Sequence, residues 1–463
     1  MKKFTHNCAL ITLLSISFFA SANPAKPGGG TTTSKQGHNA FSMPASNLDM
    51  LKRMDFSVGN SFFRNPWVIA PATTDARDGL GPLFNTNACQ GCHIKDGRGK
   101  PREEGDSNAV SMLVRLSIPA TTPEQKATLV QQGVIPEPVY GGQLQDMSIP
   151  GVAPEGQINI SYTEQLVTFA DGTEVSLRQP KLTIEKLNYG PMHPDVMMSA
   201  RVAPVMIGLG LLETISEADL LAHADPEDSN KDGISGKANR VWNTAENKST
   251  IGRFGWKAGQ PTLMQQNAGA FAGDMGLTSS FNLADDCTPA QKECLAAPHG
   301  GKHEASEKVL KFVEFYTQHL AVPARRNMKD PQVQQGQALF QQAQCQSCHV
   351  ASYTTAKRDA LPALSEQVIY PYSDLLLHDM GPGLADNRPE FLANGQEWRT
   401  PPLWGLGYLQ EVNGHTFLLH DGRARNIMEA ILWHGGEAES AKQAVLQFDK
   451  AERDALIRFL ESL

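Results

Sequence analysis

The chain has 463 residues, of which 40% are hydrophobic and 19% charged, and its 41 Lys and Arg stand against 49 Asp and Glu for a formal net charge of −8. Such a length and apolar content suffice for two or three domains with cores of their own. The acidic balance argues against nucleic acid as a partner and supplies no basic face for a membrane surface.

In chain order, Lys2 and Lys3 precede an apolar run from Ala9 to Ala20, and Ala20-Ser21-Ala22 offers a small-x-small cleavage site. Residues 1–22 therefore read as a secretory signal peptide. The run is too short to span a bilayer, and Cys8 stands before it instead of after it, which argues against a lipid anchor. The mature chain is expected in the periplasm, with no integral membrane segment once the signal is removed. Residues 23–40, rich in Gly, Pro, Thr and Ser, read as a flexible linker, and the ordered chain is expected to begin near Phe41.

Cys89-Gln90-Gly91-Cys92-His93 follows, and it recurs as Cys345-Gln346-Ser347-Cys348-His349. Two thiols a helical turn apart can both add to the vinyl groups of one porphyrin, and the adjacent imidazole then lies beneath the iron as its proximal ligand. Leu83-Phe84 and Leu339-Phe340 precede the two sites at the same spacing, so one haem-binding unit is repeated. A thioredoxin-like pair would want a βαβ context, and zinc knuckles would not need a histidine after both pairs. The expectation is two covalently bound haem c groups, one on Cys89, Cys92 and His93 and one on Cys345, Cys348 and His349. Of the seven cysteines, Cys8 leaves with the signal and these four hold haem. Cys287 and Cys294 remain and can close a short disulfide loop in an oxidising compartment, the alternative being two free surface thiols.

From about 109 to 190 the texture is β-like, with short strand candidates at 111–116, 157–162 and 181–184 between Gly, Pro and Asp-Gly turns. This is read as an insertion in the first haem domain. Helical texture returns near Met197–Leu212, near Ser306–His319 and at the end, where Asp449 and Glu452 resemble a capping box ahead of Leu456, Phe459, Leu460 and Leu463. Gly336 and Phe340 supply the small residue and the aromatic that a close crossing with this last helix needs. A boundary near Pro323–Pro331 gives an N-terminal haem domain at 41–325 and a C-terminal cytochrome c domain at 326–463. The expected fold class is mainly α, two cytochrome c-like haem domains with a β-rich insertion in the first. Within the first domain, Asp225 to Gly236 alternates oxygen ligands ahead of a glycine turn, with Asp228, Asn230 and Asp232 as candidate Ca²⁺ ligands. Asn239 stands where an EF-hand carries its bidentate Glu, so a hydrated acidic turn is an equal reading.

The stretches Asp78-Gly79-Leu80-Gly81-Pro82-Leu83-Phe84-Asn85, Asp96-Gly97-Arg98-Gly99, Gly208-Leu209-Gly210-Leu211-Leu212-Glu213, Arg399-Thr400-Pro401-Pro402-Leu403-Trp404-Gly405 and Leu419-His420-Asp421-Gly422-Arg423-Ala424 join the two haem motifs in a further likeness. Over nearly all of the mature chain it resembles the di-haem oxidoreductases, also called di-haem peroxidases or thiol-oxidoreductase-like proteins. They are similar in turn to the bacterial di-haem cytochrome c peroxidases. The resemblance implies helical haem domains packed so that electrons pass between irons, a small-molecule oxidant, and a small redox partner such as a cytochrome c or cupredoxin. It also implies a sixth ligand for the C-terminal iron on the helix after His420-Asp421-Gly422, where the peroxidases carry Met and the related methylamine-dehydrogenase-maturing enzyme Tyr. Here His434 stands at that position, with Met428 and Met380 as alternatives.

No histidine follows His93 at the peroxidases' short spacing. Either His193 ligates from a distance, or the N-terminal iron is open and Glu213 is its acid–base group, unless Glu213 is only a helix-terminal charge. Arg201, with Arg98 and Arg423, is a candidate for stabilising developing negative charge or for pairing with propionates. Trp256 and Trp404 are candidate aromatic bridges between the haems. The function expected is an exported di-haem c-type oxidoreductase, peroxidase-like, that reduces hydrogen peroxide or oxidises a substrate through high-valent haem iron. A pure electron-transfer cytochrome and a haem-dependent oxygenase are the alternatives.

Overall fold

A computed structural model describes residues 23–106 and 110–463; the expected signal peptide lies outside the described residues. The helices that position the site are α1 (Lys52–Arg64), α2 (Leu263–Met275), α3 (Glu307–Gln318), α4 (Pro331–Gln342), α5 (Ile427–Leu432) and α6 (Lys450–Leu460). The strands that matter here are β1 (Met112–Ser117), β2 (Gln157–Thr168), β3 (Glu174–Glu185) and β4 (Met197–Val202). Among the described residues no helix is long and apolar enough to cross a membrane.

Two crossed helix pairs, α1 on α3 and α4 on α6, frame the molecule. α6 starts at a capping box: the Asp449 carboxylate accepts from the Glu452 amide, and the Glu452 carboxylate accepts from the Asp449 amide, both at 2.9 Å. α4 starts on Asp330, whose carboxylate accepts from the Gln332 amide at 2.9 Å, with Pro331 in the first turn, where its missing N–H costs nothing. The pair closes at Gly336, where a Cβ would run into the Ala455 carbonyl and Phe459. Phe340, one turn on, reaches the Phe459 ring at 5.3 Å. The first pair repeats this arrangement. A Cβ at Gly59 would run into the Phe312 carbonyl and Tyr316, and Phe63, again one turn on, lies 5.3 Å from the Tyr316 ring.

The mainly α expectation is corrected. Helix of all kinds accounts for only 29% of the described residues and strand for 17%, the latter in many small sheets. The reason is visible in the composition: 40 Gly and 29 Pro punctuate the chain between the crossed pairs, and those connections run as irregular or briefly paired backbone. Each sheet has two strands. β1 pairs antiparallel with β4, Met112 opposite Val202. β2 and β3 form a hairpin of twelve residues a side around an Asp171-Gly172 turn.

That hairpin changes surroundings along its length. At its base Ile158 and Ile160 are buried in a cluster with Met112, Val114 and Leu116 of β1. At its tip Phe169 and Leu177 belong instead to the core around α4 and α6. The Ala170 amide donates to the Leu446 carbonyl at 2.9 Å, and Asp171 pairs with Arg453 at 2.8 Å.

The flexible-linker reading of 23–40 is also corrected. Thr33 bridges to Pro323, the Tyr370 amide donates to the Pro27 carbonyl at 2.8 Å, and Ala40 is fully buried. Small side chains here let the backbone itself lie against neighbouring segments, and those hydrogen bonds order it.

Candidate functional site

Each C-x-x-C-H unit makes a single tight turn, Cys89–Cys92 directly before His93 and Cys345–Ser347 one residue short of His349. His93 Nδ1 lies 2.8 Å from the Pro204 carbonyl, and His349 Nδ1 lies 2.9 Å from the Tyr372 carbonyl. A carbonyl only accepts, so each ring carries its proton on Nδ1 and leaves Nε2 as a free donor atom. Burial pushes both imidazoles down to about 4, against the pull of those carbonyls, so both are neutral. Phe63 and Phe340 each stand 6.2 Å from the histidine of their unit. Burial pushes the Cys89 and Cys345 thiols up to about 12, so they are protonated, and Cys89, Cys92, Cys345 and Cys348 are all free of disulfides.

Both units open on one continuous cavity of about 560 Å³. Its walls are largely apolar, with Leu212, Phe254, Leu384, Leu403 and Leu456 among them. Three arginines on those walls have only carbonyl partners and take part in no ion pair among the described residues. Arg98 donates to Leu419 O, Arg253 to Leu212 O at 3.1 Å, and Arg399 to Gly255 O at 2.9 Å and Thr400 O at 3.2 Å. Burial lowers Arg98 and Arg399 to about 10, and the Arg98 Nε is buried with no partner. Buried, unpaired guanidinium groups are costly unless an anion meets them.

The other expected arginines are already committed. Arg201 pairs with Glu390 at 2.8 Å, and Arg423 pairs with Asp421 at 2.8 Å. Burial alone would raise the Glu390 carboxyl, yet Arg201 and Arg388 hold it well below the usual carboxylate range. Arg201 does line the cavity, but as half of a fixed ion pair.

His434 lines the cavity, with Nδ1 2.7 Å from the Ala430 carbonyl and Nε2 left free, and it is near enough to His349 to act on it electrostatically. Of its two alternatives, Met380 lines the cavity and Met428 does not. Glu213 lies off the cavity wall. One of its oxygens accepts from the Leu263 amide at 2.7 Å, at the start of α2, and the other from Gln318 at 2.9 Å. That is the helix-terminal placement, favourable to a negative charge. His193 is also off the wall, with Nδ1 accepting from the Asp195 amide at 3.1 Å.

Trp256 and Trp404 both line the cavity, Trp256 with the Arg98 guanidinium 5.1 Å over its ring. Sequence reasoning missed Trp398, whose ring stacks on His420 at 3.7 Å and 10°. Only tertiary structure brings the Glu397-Trp398-Arg399 strand to the His420 turn. It also missed His378, held at 2.8 Å by Asp374 and at 2.6 Å by Glu437, with Cys348 Sγ at 3.6 Å. Burial opposes protonation there, but these partners lift the imidazole well above its ordinary range, so it is a buried cation.

Elsewhere, Cys287 and Cys294 are joined by a disulfide. In the 225–236 loop the Asp225, Asp228, Asn230 and Asp232 side chains accept from the loop's own amides. A turn can close this way without an ion.

A cavity with two such units on its walls defines a protein built around two prosthetic groups. The family described as di-haem oxidoreductase, putative peroxidase, matches residues 22–463, and the chain belongs to it. No curated protein and no solved structure matches. Family membership implies two haems, and the residues present fit them: two neutral imidazoles with free Nε2 atoms, apolar walls for the macrocycles, and unpaired buried cations for the propionate carboxylates.

Proposed function

We propose that the protein is an exported c-type di-haem oxidoreductase of the peroxidase kind, with one haem covalently held by Cys89, Cys92 and His93 and the other by Cys345, Cys348 and His349. The observation that carries this reading is the single cavity onto which both units open. When bound, the haems would supply one-electron redox centres and a place for a small oxidant. His93 and His349 keep their protons on Nδ1 against Pro204 and Tyr372, which fixes ring orientation and presents Nε2 to iron. His434, oriented in the same way by Ala430, would hold the C-terminal haem together with His349 in this reading. That assigns electron storage to the C-terminal centre and oxidant binding to the N-terminal one.

The other cavity histidines have separate duties: His378 is held at both ring nitrogens, and His420 lies flat on Trp398. Arg98, Arg253 and Arg399 neutralise propionates, while the Trp398–His420 stack and Trp256 fill polarisable space in the shared cavity. The substrate proposed is hydrogen peroxide, whose reduction to water consumes two electrons and two protons, with electrons from a small cytochrome c or cupredoxin.

The test is stopped-flow mixing of the matured protein with peroxide, together with steady-state turnover using a reduced donor protein. A pyridine haemochrome value of two haems per chain and peroxide-dependent donor oxidation are expected. Two low-spin haems with no reaction toward peroxide would leave electron transfer as the function.

A further inference from the structure

The fold repeats more than its haem motifs. α1, the Cys89–Cys92 turn, α2 and α3 stand in the same order as α4, the Cys345–Ser347 turn, α5 and α6. In each set the first helix crosses the last at a glycine, the aromatic one turn on faces the histidine at 6.2 Å, and the third element packs on the last helix. The third elements, α2 and α5, can therefore be matched residue by residue.

Both begin at a side-chain cap. Thr262 Oγ1 accepts from the Gln265 amide at 3.2 Å, and Asn426 Oδ1 accepts from the Glu429 amide at 2.9 Å. Counting from either cap, the first, fourth, fifth and eighth residues line the cavity: Leu263, Gln266, Asn267 and Ala270 on α2, and Ile427, Ala430, Ile431 and His434 in the α5 segment. This is one helical face in each case. Ala270 therefore stands where His434 stands. A methyl group cannot ligate, and a Cβ added at the neighbouring Gly269 would meet nothing within 4 Å, so there is room beside it.

The match reverses in polarity one turn earlier. Ala430 of the C-terminal set corresponds to Gln266 of the N-terminal set. Asn267 is committed, donating to Thr317 Oγ1 at 3.0 Å, whereas the Gln266 side-chain amide makes no hydrogen bond among the described residues. A six-coordinate centre needs no polar group at that height, but an oxygen ligand bound at an open one gains from a donor.

Resting on the assignment of oxidant binding to the N-terminal centre, we infer that Ala270 keeps that centre's sixth position open and that the Gln266 amide donates to the small oxygen ligand, a hydroperoxide, bound there. The matured full-length protein should show one high-spin and one low-spin ferric signal by electron paramagnetic resonance. Ala270→His should keep two covalent haems, convert the high-spin signal to a second low-spin one and abolish fluoride binding. Ala270→Met, with a more flexible side chain, serves if the histidine variant does not accumulate. Gln266→Leu should keep the high-spin signal but weaken fluoride binding about tenfold or more, the scale of one lost hydrogen bond to an anion. An unchanged high-spin signal in Ala270→His, or fluoride affinity in Gln266→Leu equal to wild type, overturns the inference while leaving the N-terminal assignment intact. Wild-type protein with no high-spin signal overturns that assignment itself.

Discussion

Nδ1 of His93, His349 and His434 ends on a backbone carbonyl at 2.8, 2.9 and 2.7 Å, which sets these three apart from the other histidines on the cavity wall. His434→Ala should retain two haems per chain but lose the low-spin signal of the C-terminal haem, and Met428→Ala should leave the spectrum alone; the reverse pattern would reassign the ligand to methionine. Glu213 is predicted to matter for stability and not for turnover. Its carboxylate holds the first amide of α2 and Gln318, so Glu213→Ala should cost about 1–2 kcal/mol in thermal unfolding. A hundredfold loss of peroxide turnover in that variant would restore it to an acid–base role. The two C-x-x-C-H units that line the cavity were legible in sequence because the motif is contained in five consecutive positions. Glu213 was not, since whether a carboxylate reaches a cavity or caps a helix depends on Leu263 and Gln318, distant along the chain.

Among the elements, the two glycine crossings carry the clearest mechanical demand. Gly336 was legible because Phe340 and the final apolar stripe lie in recognisable register. The same Gly59-to-Phe63 spacing precedes the first haem unit, but its partner helix lies some 250 residues later and only the fold connects them. Gly59→Ala and Gly336→Ala each force a methyl group against a backbone carbonyl. Each should lower stability by about 1–3 kcal/mol or more, read from denaturant midpoints, with Ala substitutions at exposed positions of the same helices as controls. Fold class was less legible than either crossing, because helix signals at the crossings say nothing about how many irregular residues lie between them. The β2–β3 hairpin illustrates the gap: its strand texture was visible, but Phe169 and Leu177 near its tip are buried in the core around α4 and α6, which no local pattern announces.

For the molecule as a whole, one buried acid joins the segment before the β2–β3 hairpin to the disulfide loop. The Glu155 carboxylate accepts from the Gln145 amide and from Gln291, each at 2.5 Å. Burial raises it from about 4.5 to about 8, despite those hydrogen bonds. Because the folded value lies above the unfolded one, folding takes up a proton. The associated stability is fully present below about pH 4.5 and is lost as pH rises through about 8. Wild-type protein should therefore lose thermal stability relative to Glu155→Gln between about pH 5 and pH 8, and parallel profiles would place the Glu155 proton elsewhere. The core around α4 and α6 makes a second demand at this scale, since it includes Phe169 and Leu177 from outside residues 326–463. A fragment of residues 326–463 should bind a hydrophobic dye and unfold without a sharp transition, whereas adding back residues 157–185 as a peptide should sharpen it. A fragment that unfolds cooperatively alone would show that the hairpin tip is dispensable.

The same hairpin imposes an order in time. Asp171 meets Arg453 across 282 residues of chain, so the tip is synthesised long before the surface it docks on exists. During that interval Phe169 has no apolar cover. Asp171 and Glu174 follow it closely with charge, the kind of placement by which sequences keep a waiting apolar segment from associating with its neighbours. Contacts of such separation close late and slowly, and here the last ones to form join the two halves. The hairpin tip therefore finds its cover only once the last helix of the chain has been made.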